Sequence, residues 1–424
     1  MEKAPKDPKP VPQSRPSKSM LSATVSISVC FLAYIAFSLA KDPLSSRDDA
    51  ASLPPQSVLV DPASFAAMGP NAIFRNNSFD AGFNPTGTEP PFFQIFDPSF
   101  LQILGGSPSI TQIASNATFA FAHEAPIYDP KMDAVTFASN DGGALGMSDI
   151  NHNNRVGRIN LKDLPAKLTG KPIEIPITEL NLPDTVQMTN GGTGPFRGDL
   201  LLITSGRGNL PPSIVLVDPV SLNTTVLLDN FFGRQFNSLN DIKIHPSGKI
   251  FFTDTVYGWL NHFRPLPLMP NQVYRLDPDT RAVRVVATDF DKCNGIAFTG
   301  DGKTAYVTDT GSTSGFLGNN STEPATIYAY DVDPKTQAFN NRRIFAFADS
   351  GVPDGVQVDT NGNVFAGCGD GVQVWNSDGL LIGKFFLGTV SANMAFAGPG
   401  RLIILAETKI FLAEIAASPS LFTS

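Results

Sequence analysis

Beyond residue 120 the chain is a succession of short apolar runs broken by turn-forming residues, and long amphipathic helical periodicity is absent there. The runs group into a recurring unit of strand, turn, strand, turn, strand, turn, strand. One copy shows it clearly: Asn294–Phe298, the turn Gly300-Asp301-Gly302-Lys303, Thr304–Asp309, then Ile327–Asp331 ending in Asp333-Pro334, and Arg342–Phe347. Its turn composition and its β-branched and aromatic runs predict tight hairpins of β-strands. The third strand recurs closely in Val215–Pro219 and Tyr274–Pro278, more loosely in Gly157–Asn160 and Val372–Trp375. Each proline follows its strand, where a missing N–H breaks no ladder.

A second regularity fixes the phase of the repeat. An amide or carboxylate residue opens the first strand of each unit, and a turn glycine follows eight residues later: Asn190 and Gly198, Asn240 and Gly248, Asn294 and Gly302, Asp354 and Gly362. Asn393 precedes Gly400 by seven, and a sixth copy begins at Glu124 with the turn Asp129-Pro130-Lys131-Met132. Six units of four strands with loops of unequal length predict an all-β, six-bladed β-propeller, in preference to a solenoid, whose repeats are more uniform and capped. The last unit supplies only three strands, at Asn393–Phe396, Leu402–Ala406 and Ile410–Ile415. Ser109–Ala114, ahead of the first unit, is placed to supply the fourth and close the ring, which removes an exposed edge.

Residues that open the innermost strands of a propeller converge at one end of its central channel. Here they are Glu124, Asn190, Asn240, Asn294, Asp354 and Asn393. Asn and Asp at strand entries commonly bond local backbone, which is a fair account of Asn190 and Asn393. It is a poor account of Glu124 and Asp354, because two carboxylates near one axis repel unless a cation lies between them. An all-oxygen donor set suits a hard cation; calcium, tolerant of carbonyl ligands and irregular geometry, is the first choice and magnesium the second. No Cys/His spacing suggests zinc. No G-x-S-x-G motif stands beside a triad pattern, and Ser205-Gly206-Arg207-Gly208 reads as a turn.

The net charge of −8 and pI near 5.1 argue against nucleic acid as a partner. The expected organisation is a disordered, Pro- and Lys-rich stretch over 1–19, a signal peptide or signal anchor over 20–40, a Pro/Ser/Asn-rich leader over 41–108 that wraps the propeller or stays loose, and the propeller over 109–418. Five basic residues precede the uncharged segment Met20–Ala40. Ser38-Leu39-Ala40 suits cleavage, while the length suits a retained anchor, so membrane anchorage stays open. Either route takes the propeller into the secretory pathway, and the sequons at Asn76, Asn116, Asn223, Asn319 and Asn320 agree with it. Cys30 lies in the apolar segment. Cys293 and Cys368 fall in neighbouring blades, where they either pair or stay as buried free thiols.

Glu124-Ala125-Pro126, Asn240-Asp241, Cys293-Asn294-Gly295 and Pro353-Asp354-Gly355 fall in the order, and in the blades, in which the SMP-30/gluconolactonase family carries its calcium-site residues. The resemblance covers roughly 120–415, and Tyr257-Gly258-Trp259 through Pro270–Arg275 resembles the fungal lactonohydrolase branch. It implies one catalytic calcium on Glu124, Asn240, Asn294 and Asp354, and a small lactone as substrate. Some relatives carry an arginine two residues before the blade-three asparagine; Ser238 stands there, a departure that bears on any aldonolactone grip.

Lactone opening at such a site implies a polarised carbonyl and a carboxylate that takes a proton from water or attacks directly. Asp354 is the first candidate for that carboxylate, and His123, beside Glu124, is a second catalytic candidate as a proton shuttle. Asn190, Asn240, Trp259 and His262 are candidate substrate contacts, the last two on a Pro-rich loop of blade three; His245 should be structural. The rival readings are a calcium-dependent phosphotriesterase, a non-catalytic binding propeller, and a strictosidine-synthase-like lyase, which needs no metal quartet.

Overall fold

Each of the six expected units folds as a four-stranded antiparallel sheet in the computed structural model, which describes residues 53–79, 82–143 and 145–420. Blade one is Glu124–Asp129, Ala134–Ala138, Val156–Asn160 and Ile177–Glu179; blade two is Thr189–Phe196, Asp199–Thr204, Ser213–Val217 and Thr224–Leu228. Blade three is Leu239–Ile244, Ile250–Asp254, Gln272–Leu276 and Val283–Ala287; blade four is Cys293–Phe298, Thr304–Asp309, Thr326–Val332 and Phe339–Phe347. Blade five is Val356–Val358, Val364–Cys368, Gly371–Trp375 and Leu381–Phe386. Blade six takes Asn393–Phe396, Arg401–Ala406 and Lys409–Glu414 from the C-terminal end, and its outer strand is Ser109–Ser115. The ring therefore closes where the unpaired third strand predicted it would, with Ile110 opposite Ala413 and Ala114 opposite Ile410.

The inner strands are apolar on both faces because each blade is packed on both sides, whereas outer strands such as Ile177–Glu179 and Phe339–Phe347 are largely exposed. Six buried clusters lie one between each neighbouring pair of blades, and successive residues of one strand feed different clusters. In the second strand of blade three, Ile250 and Phe252 join the core shared with blade two, while Phe251 joins the core shared with blade four. Cys293 and Cys368 sit in different clusters and are free buried thiols. The five turn glycines of the repeat, Gly198, Gly248, Gly302, Gly362 and Gly400, all have positive φ, between 67° and 98°. That conformation is what the tight hairpins require and what glycine adopts without strain. His245 is structural as expected: its Nδ1 accepts from Ser247 Oγ (2.8 Å), and its Nε2–H donates to the Gly302 carbonyl (2.9 Å), across to blade four.

Much of the leader is built into the fold. Phe92–Ile95 pairs antiparallel with the outer strand of blade five, and Ser57–Leu59 adds parallel to it, so that this sheet has six strands. A Pro/Ser/Asn-rich average concealed two apolar runs: Phe92, Phe93, Ile95, Phe100, Ile103 and Leu104 are all buried. The Phe100 ring fills the space over Gly383, where a Cβ would lie 2.4 Å from it. Lys384 is fully buried beneath this layer, its ammonium 2.6 Å from both Asp349 and Asp370, and Arg75 of the leader pairs with Asp349. The expected basic stretch 1–19 and the apolar segment 20–40 with Cys30 lie outside the described residues. Among the described residues no helix is long and apolar enough to cross a membrane.

Because Phe100 anchors the leader in the core between blades five and six, Phe100→Ala should cost about 3–5 kcal/mol of stability. Urea unfolding measures it; a cost below about 1 kcal/mol would mean that the leader contributes little to the folded state.

Candidate active site

The inner strands of blades one to four carry the same irregularity at the same place. Between Glu124 and Ile127, Thr189 and Gly192, Leu239 and Ile242, and Cys293 and Ile296, three steps on the inner strand face two on its partner. This is a β-bulge, which re-aims a side chain out of the pleat. In blades two to four the first residue inside the bulge is the one singled out by the repeat, Asn190, Asn240 or Asn294; in blade one Glu124 is the paired residue that opens the bulge, opposite Ala138. In blade five Asp354 stands two residues ahead of the short strand Val356–Val358, held by its N–H to the Gly367 carbonyl (2.8 Å). All five line one cavity of about 230 Å³ at one end of the channel, with His123, Asn140, Asp141, Tyr257, Asn261 and Thr310 completing much of its wall.

Asn393 does not line it. Its amide donates to Glu124 Oε2 (2.8 Å) and its carbonyl accepts from the Met394 N–H, so it orients the carboxylate from behind. His123 lies on the other side of Glu124, with Nε2 3.9 Å from Oε1, and its Nδ1 is 2.6 Å from Glu407 Oε1. Asn140 donates to the second Glu407 oxygen at 3.2 Å. One ligating atom from each of His123, Glu124 and Asp354 can be chosen so that all three lie within 4.8 Å of one another. Asn190 donates to Asp141 Oδ2 (3.0 Å), which also accepts from Ser205 Oγ (3.0 Å). The Asn190 amide is thereby fixed with its nitrogen toward Asp141.

Three buried oxygens in this wall have no hydrogen-bond partner: Asn190 Oδ1, Asn240 Oδ1 and Asp354 Oδ1. An orphaned buried acceptor costs about 1–3 kcal/mol, so three around one cavity need an explanation. Electrostatics points the same way. Burial pushes the Glu124 carboxyl well above the usual range, and the nearby Asp354 adds to it. Asp354 is also raised by burial, against the pull of His123. Burial lifts Asp141 to about 6. For His123 burial acts downward, but Glu407, Glu124 and Asp354 outweigh it and raise the imidazole to about 10. The wall thus holds an excess of oxygen acceptors and negative charge. A hard cation fits such a donor set: Glu124, Asn240, Asn294 and Asp354 offer carboxylate and amide oxygens, and two of the orphaned oxygens belong to that quartet.

The blade-three loop contributes residues other than the two expected. Tyr257 and Asn261, one helical turn apart around the short helix Tyr257–Leu260, face the cavity. Trp259 and His262 instead pack on Phe316 of blade four, with ring centroids at 5.5 and 4.4 Å. Ser238, at the position where some relatives carry arginine, accepts from the Gly258 N–H and holds the start of that helix. Asn140, Asp141 and Glu407 escaped the sequence reading because they lie in irregular connections without periodicity. Another signal was legible: Thr253-Asp254-Thr255 repeats as Thr308-Asp309-Thr310 at the ends of two second strands. Asp254 accepts from the Asn237 and Ser238 N–H groups, and Asp309 from those of Asp291 and Lys292, which fixes the approach to each site asparagine.

Residues 124–407 match the family described as SMP-30/Gluconolactonase/LRE-like region. The chain is similar to the lactonohydrolase oryL of Aspergillus oryzae, 30% identical over 344 residues that cover 74% of this chain and 73% of that protein. It is also similar to a gluconolactonase of Zymomonas mobilis, 29% identical over 46% of this chain and 55% of that one. Among solved structures, a gluconolactonase from Xanthomonas campestris matches with a TM-score of 0.60 at 23% identity, covering 79% of this chain and 99% of that one. A calcium-binding regucalcin from Agrobacterium tumefaciens matches with a TM-score of 0.52 at 16% identity, over 74% and 97%. These two likenesses are of fold. The sequence match runs from the entry of blade one to the last hairpin of blade six and includes every residue of the cavity wall from Glu124 onward: the chain belongs to the SMP-30/gluconolactonase family.

Proposed function

We propose that the chain is a lactone hydrolase whose cavity holds one divalent cation, calcium in preference to magnesium, on Glu124, Asn240, Asn294 and Asp354. The three orphaned buried oxygens are the observation that carries the metal part of this reading. The naming of oryL as a lactonohydrolase, over most of both chains, supports the substrate class. Held by these four residues, such a cation would supply Lewis acidity toward the lactone carbonyl.

The chain's own residues provide the rest. A lactone ring in the cavity lies beside Asp354, whose buried Oδ1 has no protein hydrogen-bond partner and so keeps its acceptor capacity for a substrate water. Asp354 takes a proton from that water as its oxygen bonds to the carbonyl carbon; the acyl–oxygen bond of the ring then breaks, and the proton passes to the departing ring oxygen, giving a hydroxy acid. Asn393 and His123 hold Glu124 from either side, and Asp141 holds Asn190 with its carbonyl oxygen toward the substrate. His123, gripped by Glu407, is the rival proton carrier. The exposure of all five sequon asparagines supports passage through the secretory pathway.

Calcium should bind with one-to-one stoichiometry by calorimetry and raise the melting temperature, by the equivalent of about 2.7 kcal/mol at a hundredfold excess over Kd. Glu124→Gln should weaken that binding, and added calcium should restore part of the lactonase rate. Purified protein that holds zinc, or takes up no divalent ion from saturating calcium, would overturn the metal assignment.

Asp354→Asn keeps a carbonyl oxygen for the cation but cannot accept a proton. It should retain calcium binding while losing lactone opening by about a hundredfold or more. His123→Ala separates the two assignments, since a proton carrier would cost a comparable factor and a positioning residue only a small one. A calcium-loaded Asp354→Asn variant that works at the wild-type rate rules Asp354 out as the base. An absence of hydrolysis on any lactone, with phosphotriesters cleaved or ligand merely bound, favours the phosphotriesterase or binding-propeller reading.

A further inference from the structure

The connections between second and third strands make the wall above the cavity, and they are unequal. They span 139–155, 205–212, 255–271 and 310–325 in blades one to four, but only 369–370 and 407–408 in blades five and six. The four long ones are bound to each other. Asn261 is wedged between Gly142 and Gly315, where added Cβ atoms would lie 2.8 and 3.0 Å from its side chain, and its amide donates to the Asp141 carbonyl. Arg207 of blade two donates to the Ile150 carbonyl of blade one (2.8 Å), and Arg264 of blade three to the Gly208 and Leu210 carbonyls of blade two (2.7 and 2.9 Å). Phe316 of blade four stacks on His262 of blade three and meets Trp259 edge to face.

This braced collar points apolar side chains at solvent. Leu145 and Met147 follow the cavity-lining Gly143 and are 49% and 54% exposed; Phe316 and Leu317 follow the cavity-lining Gly315 and are 50% and 63% exposed. Leu266 and Leu268, further out on the blade-three loop, are 66% and 82% exposed. Scattered exposed leucines are ordinary, but these stand beside the mouth, on segments that also line the cavity. The cavity itself is lined chiefly by carboxylates, amides and hydroxyls, has no lysine or arginine, and at about 230 Å³ falls below the roughly 300–1,000 Å³ of sites that enclose whole drug-sized ligands. That volume has room for a small ring, and a substituent on such a ring would meet the collar beside the mouth.

We propose that the collar is a subsite for an apolar substituent: the preferred substrate is a lactone bearing an alkyl or aryl chain, its ring in the polar cavity and its chain along Leu145, Met147, Phe316 and Leu317. The inference rests on the lactonase reading and adds the substrate class to it. A polyhydroxylated sugar lactone would place hydroxyls against this apolar surface and gain nothing from it.

The test measures kcat/KM of the full chain on γ-lactones with side chains of one to eight carbons, beside a sugar lactone. Full burial of a methylene gives about fourfold and partial burial on an open collar about twofold, so the expected rise is about twofold per carbon until the collar is covered. Met147→Ser with Leu317→Ser should lower the rate increasingly with chain length, by about tenfold at the longest, while Met147→Leu with Leu317→Met should keep the slope. A rate that ignores chain length, a preference for the sugar lactone, or an equal loss on every substrate overturns the collar. Calorimetric binding of the matching lactams, which resist hydrolysis, gives a second reading. Lactam affinity that rises with chain length while no lactone opens leaves the collar standing and removes the lactonase reading. Lactam affinity independent of chain length removes the collar even where lactones are opened.

Discussion

The inner strands of this propeller come closer together than side chains allow, and the site depends on that approach. A Cβ on Gly191 would lie 2.6 Å from the Asn240 carbonyl oxygen, one on Gly295 2.3 Å from that of Asp354, and one on Gly355 2.2 Å from the Asn393 side chain. Each glycine directly follows an oxygen-bearing residue of the ring. At that spacing hydroxyls reach from one blade to the next: Ser205 donates to the Leu239 carbonyl, Thr253 to that of Asn294 and Thr308 to that of Asp354, at 2.8–3.0 Å. Where blade three has Asp241 in place of glycine, its carboxylate accepts from the Ile296 N–H of blade four and performs the same tie. The site residues are thus held by backbone that is bonded on both sides, the preorganisation that a catalytic constellation needs.

Such rigidity has an electrostatic cost. Glu124, Asp141 and Asp354 are gathered in one cavity wall in which His123 is the one basic side chain. The supporting hydrogen bonds reduce the strain selectively. Asn393 satisfies Glu124, while Asn190 and Ser205 satisfy Asp141. The oxygens left without partners belong to Asn190, Asn240 and Asp354. The protein completes the polar shell behind the ring and leaves the inner surface incomplete, as a binding site for a positive charge would be.

What was legible in the sequence is what the fold restricts at both ends. The inner strand begins with a residue re-aimed by a bulge and ends at a glycine with positive φ, so the interval between them is nearly constant and the blades could be counted from it. Closure by Ser109–Ala114 followed from counting three strands in the last unit. The chemistry on the connections was not legible in this way. Asn140 and Asp141 occupy a seventeen-residue loop without period, Glu407 sits at φ 60° in a two-residue hairpin, and neither position is set by a repeat. Trp259 and His262 stood out by residue type, yet the helical turn they belong to presents Tyr257 and Asn261 to the cavity. For the leader, wrapping and staying loose could not be told apart, because an average over 68 residues hides two five-residue apolar runs that suffice to dock it.

The pairing of Ser109–Ser115 with Lys409–Glu414 has a kinetic meaning. About 300 residues separate the partners, and loop-closure entropy grows only as the logarithm of that length. The thermodynamic cost of so distant a contact is therefore modest; its timing is the larger matter. On a ribosome the outer strand of the last blade emerges first and its partner last, so five blades can form and stack before the ring can lock. Until then Ser109–Ser115 has an open edge, and the core between blades six and one is solvated. Pairings this non-local form slowly and leave intermediates exposed to association. Expression yield and refolding efficiency of variants should accordingly be most sensitive to residues at this seam, Ile110, Ile113, Ile410 and Leu412, even where the finished ring tolerates the change.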